Sequence, residues 1–105
     1  MAKSKSELEV KESPVEQSAI ESIARTFDWS NIGTPTSPTV SLYNLTDGVA
    51  LDSSDYLTGT ASVSSDNIIT PHVHSLVAGT QYKLICTVTV AANTLTSYLR
   101  IIGVP

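Results

Sequence analysis

The stretch GTQYKLICTVTVAANTLTSYLRIIGV, residues 79–104, decides how the chain is read. Tyr82, Leu84, Cys86, Val88 and Val90 alternate with Lys83, Ile85, Thr87 and Thr89. A strand with one face in a core has this period of two. Ala91, Ala92 and Asn93 then form a short turn, and residues 94–104 return as an antiparallel partner in which Leu95, Leu99 and Ile101 share a face. On this reading Cys86 is a small core hydrophobe: no basic neighbour in sequence stabilises a thiolate, and an apolar site raises its pKa.

Working upstream, Leu76, Gly79 and Tyr82 in LVAGTQY have the spacing of a tyrosine corner. In that motif a Tyr hydroxyl bonds back to the backbone just before the penultimate strand of an immunoglobulin-like sandwich. Earlier strands are shorter. TFDWS (26–30) reads as the first, TVSLYNL (39–45) as the second with Val40 and Leu42 inward, TASV (60–63) as a third, and IITPHVHSL (68–76) as the strand leading into the corner. Pro71 predicts an edge strand or a bulge there, because proline cannot donate to a ladder. The expected fold is an all-β, small immunoglobulin-like β-sandwich with an N-terminal arm.

Charge marks where the arm ends. Residues 1–30 hold ten charged side chains and the following seventy-five hold six, of a net charge of −4. The chain therefore divides into a docking arm, residues 1–25, and a sandwich, residues 26–105. In SPVEQSAIESIARTF (13–27), Ser13 as N-cap, Pro14 at the first helical position and Glu16 three residues on predict a helix start. Val15, Ala19, Ile20, Ile23, Ala24 and Phe27 would line one face of about three turns. So short a helix is marginal alone, so it docks, either on its own sandwich or on another chain; an extended course is the alternative. The residues expected to meet a partner are Val15, Ile20, Ile23, Phe27 and Trp29.

Size and composition narrow the function. At 105 residues the chain has room for one modest core, and its one cysteine allows no internal disulfide. An acidic balance without clustered Lys and Arg argues against nucleic acid. No apolar run approaches the roughly 18 to 20 residues of a membrane span, and the start MAKSKSELEV lacks the apolar centre of a secretory signal, so a soluble chain made in the cytoplasm is expected.

Sites of chemistry are few. His72 and His74 in HVH would share a strand face about 7 Å apart and could offer two ligands to zinc or nickel. A third would have to come from far along the chain or from other subunits across a symmetry axis. Asp52 and Asp55 in LDSSD read as turn chemistry, lacking the acidic alternation and closing Glu of a calcium loop. No nucleophile elbow, phosphate loop or carboxylate pair appears, so neither catalysis nor a cofactor is expected. Phe27 and Trp29 could stack on a sugar, but Trp in such a place more commonly anchors a chain to its core or to a partner.

The mixed-charge arm, FDWS at Phe27–Ser30 and the terminal LVAGTQYKLICTVTVAANTLTSYLRI together resemble small tailed-phage virion proteins of the fibre-tail adaptor type. The likeness spans about residues 25–102. Its departures are Ala91, Ala92 and Asn93 where that family favours Gly, and Thr96 and Ser97 where a basic residue is common. The resemblance implies a virion protein in several copies, an adaptor in the neck or tail that attaches fibres or joins neighbouring virion proteins. A capsid decoration or host-glycan-binding module of the same fold, and an enzyme accessory domain, are the other classes.

Overall fold

The alternation in residues 79–104 becomes a long hairpin, β10 (Gln81–Val90) and β11 (Asn93–Val104), in register from Gln81↔Ile102 to Val90↔Asn93. Tyr82, Leu84, Cys86, Val88 and Val90 are buried on one face, as are Ser97, Leu99, Ile101 and Gly103 across from them. Ala91 and Ala92 make the two-residue turn with φ of 49° and 69°. Both lie in the left-handed region that the right-handed twist of a two-residue hairpin demands, at a steric cost to Ala that Asn-Gly would avoid.

The computed structural model describes residues 7–9, 14–30 and 32–105. Around the hairpin the chain runs through β1 (Glu7–Glu9), β2 (Val15–Ser18), β3 (Thr26–Asp28), β4 (Thr36–Asn44), β5 (Val49–Ala50), α1 (Ser53–Tyr56), β6 (Leu57–Thr58), β7 (Ser62–Ser64), β8 (Asn67–Ile69) and β9 (His72–Val73). One sheet has the order β1-β11-β10-β4-β5, with β2 also paired to β11. β1 and β2 lie parallel to β11, one after the other along the same edge. The opposing layer holds β3-β8-β7 and β6-β9, and an isolated bridge, Ile23↔Val73, places residues 23–28 along β8 and β9. The molecule is a small all-β sandwich. Its core sits between the layers, with Leu42, Leu84, Cys86, Val88, Leu99 and Ile101 from one and Phe27, Ile68 and Val73 from the other.

Three expectations are corrected. The helix over 13–27 is not formed: residues 15–18 are a strand, Ser18–Glu21 a turn closed by Glu21 N–H to Ser18 C=O, and residues 23–28 extended. Ser13, the expected cap, lies outside the described residues. The edge of β11 offers four paired positions to an extended segment, and a lone three-turn helix cannot compete with that ladder. The boundary at residue 26 also moves, because Val15 packs against the core and Gln17 is 0 % exposed. Third, IITPHVHSL is two strands. β8 is central, between β3 and β7, and Pro71 falls after it, where the chain leaves one ladder for another and no N–H is required.

Candidate functional site

Phe27 and Trp29, expected to meet a partner, are instead 1 % and 2 % exposed within the core. Phe27 is the inward residue of β3, and Trp29 follows with its N–H donating to the Asp66 carbonyl at 2.9 Å. Neither ring can reach a second chain or stack on a sugar. Among the described residues the buried indole Nε1 of Trp29 has no hydrogen-bond partner of good geometry. Burial pushes the neighbouring Cys86 thiol up to about 11, and the indole offsets a little of that rise. A thiol so placed is a packing group.

Residues 15–25 are tied down by one buried polar side chain. Gln17 Nε2 donates to the Val73 carbonyl at 2.6 Å and to the Glu21 carbonyl at 3.3 Å, and its Oε1 accepts from Arg25 Nη2 at 3.0 Å. The Arg25 N–H donates to Thr70 Oγ1 at 2.9 Å. Burial lowers the Arg25 pKa and the Glu21 carboxylate opposes that shift. Gln17 thus links the β11 edge of one layer to β9 of the other. The sequence signal was the alternation of Val15 and Gln17, hidden because a polar residue occupies the inward position.

Of the remaining arm residues expected to meet a partner, Val15 pairs with Ile101 and Ile23 bridges Val73, both half-buried in this chain. Ile20 differs: it sits in the Ser18–Glu21 turn and is 95 % exposed. The same end of the sandwich carries Val77, 58 % exposed, in the turn over Gly103, and Leu45 and Val49 where β4 passes to β5. These four exposed apolar residues lie at the end of the sheet where β11 finishes and β10 begins, here called the pole.

The corner turn supports that pole from beneath. The Val77 N–H donates to the Tyr82 hydroxyl at 2.9 Å, and Tyr82 is buried, as is Leu76. Gly79, at φ +85°, completes the turn, with its N–H on the Gly103 carbonyl. Gly103 is obligatory for a different reason, since a Cβ there would fall 2.1 Å from the Val77 carbonyl oxygen. Tyr82→Phe leaves the Val77 N–H unpaired and is expected to cost about 1 to 2 kcal/mol with the fold retained. Urea unfolding of the variant measures it; an unchanged midpoint would show the bond to be idle.

The other candidates are structural. His72 is exposed on β9, whereas His74 lies past its end with its ring between Thr58 Oγ1 at 2.7 Å and Ser75 Oγ at 2.8 Å. Among the described residues no three His, Cys, Asp or Glu side chains gather where a metal could be held. Asp52 caps α1, its carboxylate accepting from the Ser54 N–H and hydroxyl, and those bonds lower its pKa. Asp55 lies in the first turn of that helix.

A cleft of about 440 Å³ lies between the first half of β4 and the segments around β6. Its lining is uncharged: Val40, Leu57, Ala61 and Pro71 supply apolar surface, and Ser53 and Thr60 are among its hydroxyls. No aromatic ring lines it, which leaves a sugar nothing to stack on. No helix among the described residues is long and apolar enough to cross a membrane. No protein-family model, no curated protein and no solved structure matches the chain.

Proposed function

We propose that the protein is a non-enzymatic structural component of a bacteriophage virion, an adaptor in the neck or tail region that attaches fibres or joins neighbouring virion proteins. The observation that carries the reading is the set of exposed apolar residues Ile20, Val77, Leu45 and Val49 at one end of the sandwich, on a surface otherwise rich in Ser and Thr with Ile32, Val63 and Ile69 exposed elsewhere. Isolated apolar residues on a surface are ordinary, but four at one end, one of them 95 % exposed, are the pattern of a surface that another protein covers. Packing a charge-poor, hydroxyl-rich domain among other subunits also buries few ions and so avoids their desolvation cost.

An immunoglobulin-like identity fits the same features. A first strand lies parallel beside the last, the long hairpin occupies the middle of one sheet, and a Tyr precedes the penultimate strand with its hydroxyl bonded back to the turn. Such sandwiches serve as rigid spacers with loops free for contact. The docking element is then the pole, with Ile20 as the part of the expected arm that still faces outward.

Ile20→Asp with Val77→Asp tests this. Both side chains are exposed, so the melting transition should stay within a few degrees of the parent, surface changes of this kind being worth about 0.5 kcal/mol or less. Incorporation into particles, measured by complementing a deletion phage, should be lost. Normal incorporation would remove the pole from the docking surface.

A further inference from the structure

Across the first sheet, three rows run from edge to edge at one height. Glu7, Thr96, Thr87 and Thr39 form the first; Leu8, Ser97, Cys86 and Val40 the second; Glu9, Tyr98, Ile85 and Ser41 the third. Among the described residues β1 is the outermost strand at one end of these rows. At the other end no described strand pairs with β4 below Leu42, because β5 reaches only Tyr43 and Asn44; α1 and β7 lie against β4 without joining its ladder. The Leu51 N–H bonds the Leu42 carbonyl from that side, so by the alternation of an antiparallel strand Val40 also turns its N–H and C=O toward the open edge. Pro38 closes the opening below, having no N–H to offer. The gap is three residues long, Thr39 to Ser41, the length of β1.

We propose that β1 of one copy pairs with this open edge of β4 in the next, so that the sheet continues from chain to chain. Since β1 and β4 both run antiparallel to β10 or parallel to β11, a near-translation brings them together as a parallel pair at matched height. In that join Leu8 takes the register position next to Val40, and Val40 itself lines the uncharged cleft with Leu57, Ala61 and Pro71. Glu7 takes the register of Thr39 and Glu9 that of Ser41, so the join sets no two acidic residues at one register position.

A twofold alternative, β1 against β1, would set each Glu7 opposite Glu9 of the second copy, and like charges directly opposite one another destabilise a pair. Head-to-tail pairing is therefore favoured over a symmetric dimer. Such an interface is heterologous, and repeated it closes into a ring or runs on as a filament. The purpose of a ring rests on the adaptor reading, whereas the pairing itself is tested on the pure protein and stands or falls separately.

Two full-length variants carry the test, Glu7→Cys and Thr39→Cys, with the native Cys86 buried away from solvent. Thr39 is exposed, so its replacement leaves the core intact. Mixed under mild oxidation at about 1 mM, where even weak association populates a complex, the two should link to each other as the main disulfide dimer. Neither should link with itself to a comparable extent. Leu8→Lys in the Glu7→Cys chain should reduce the mixed dimer at least about tenfold, a loss of 1.4 kcal/mol in pairing. Absence of the mixed dimer, a dominant Glu7→Cys homodimer, or indifference to Leu8→Lys would each overturn the proposal. Incorporation into particles, read separately, reports on the adaptor role alone.

Discussion

A chain that begins at residue 26 is expected to lose most or all of its cooperative unfolding transition. Removing residues 1–25 takes away β2 and its four paired positions on β11, from Ile101↔Val15 to Val104↔Ser18. It removes Val15 from the core and the Gln17 side chain from the Val73 carbonyl, and it ends the Arg25 bond to Thr70. At about 1 kcal/mol for each main-chain bond and about 1 to 2 for the half-buried valine, the loss is about 4 to 6 kcal/mol. A domain of this size has about 5 to 15 kcal/mol in all. Circular dichroism during urea unfolding reads the outcome directly. A truncated chain with the parent midpoint would mean that residues 15–25 are an appendage after all.

Phe27→Ala should be the most damaging single substitution in the same region. The ring is 1 % exposed and closes the core between β3 and the hairpin layer. Its loss removes the transfer free energy of a large side chain and leaves a cavity that close-packed neighbours fill only in part, a cost of about 3 to 5 kcal/mol. Thermal unfolding should show a fall of more than about 12 °C, taking about 4 °C for each kcal/mol as the lower bound in a domain this small. A fall of under about 4 °C, corresponding to about 1 kcal/mol, would contradict the assignment of Phe27 to the core and return it to the surface available for a partner.

Both results turn on where the sequence was and was not legible. The hairpin was readable because its burial alternates without a fault over nine residues, and period two has few competing explanations. Tyr82 was readable because the corner joins residues close in sequence. The segment 13–27 was misleading: its apolar residues fit a helix as well as two short strands, and local capping signals know nothing of an open edge on β11. The polar pin at Gln17 could not be seen at all, since its partners, Val73 and Arg25, are brought to it by two different layers. The open edge of β4 is likewise a property of pairing. It appears only when β5 is found to be two residues long.

The corrected placement of the first strands changes what carries attachment. Val15, Ile23, Phe27 and Trp29 are occupied within their own chain, so the proposed docking is assigned to the exposed residues around Ile20 and to the two sheet edges left unpaired among the described residues.

The central claim is that this sandwich is built into a phage particle at a symmetric joint. Cryo-electron microscopy of purified particles that contain the chain tests it most directly, by locating the domain and counting its copies. The account predicts density for the sandwich in the neck or tail, at a copy number set by the symmetry of that region, with the Ile20 pole against another virion protein. Density distributed over the capsid lattice, or particles that contain none of the chain, would contradict it.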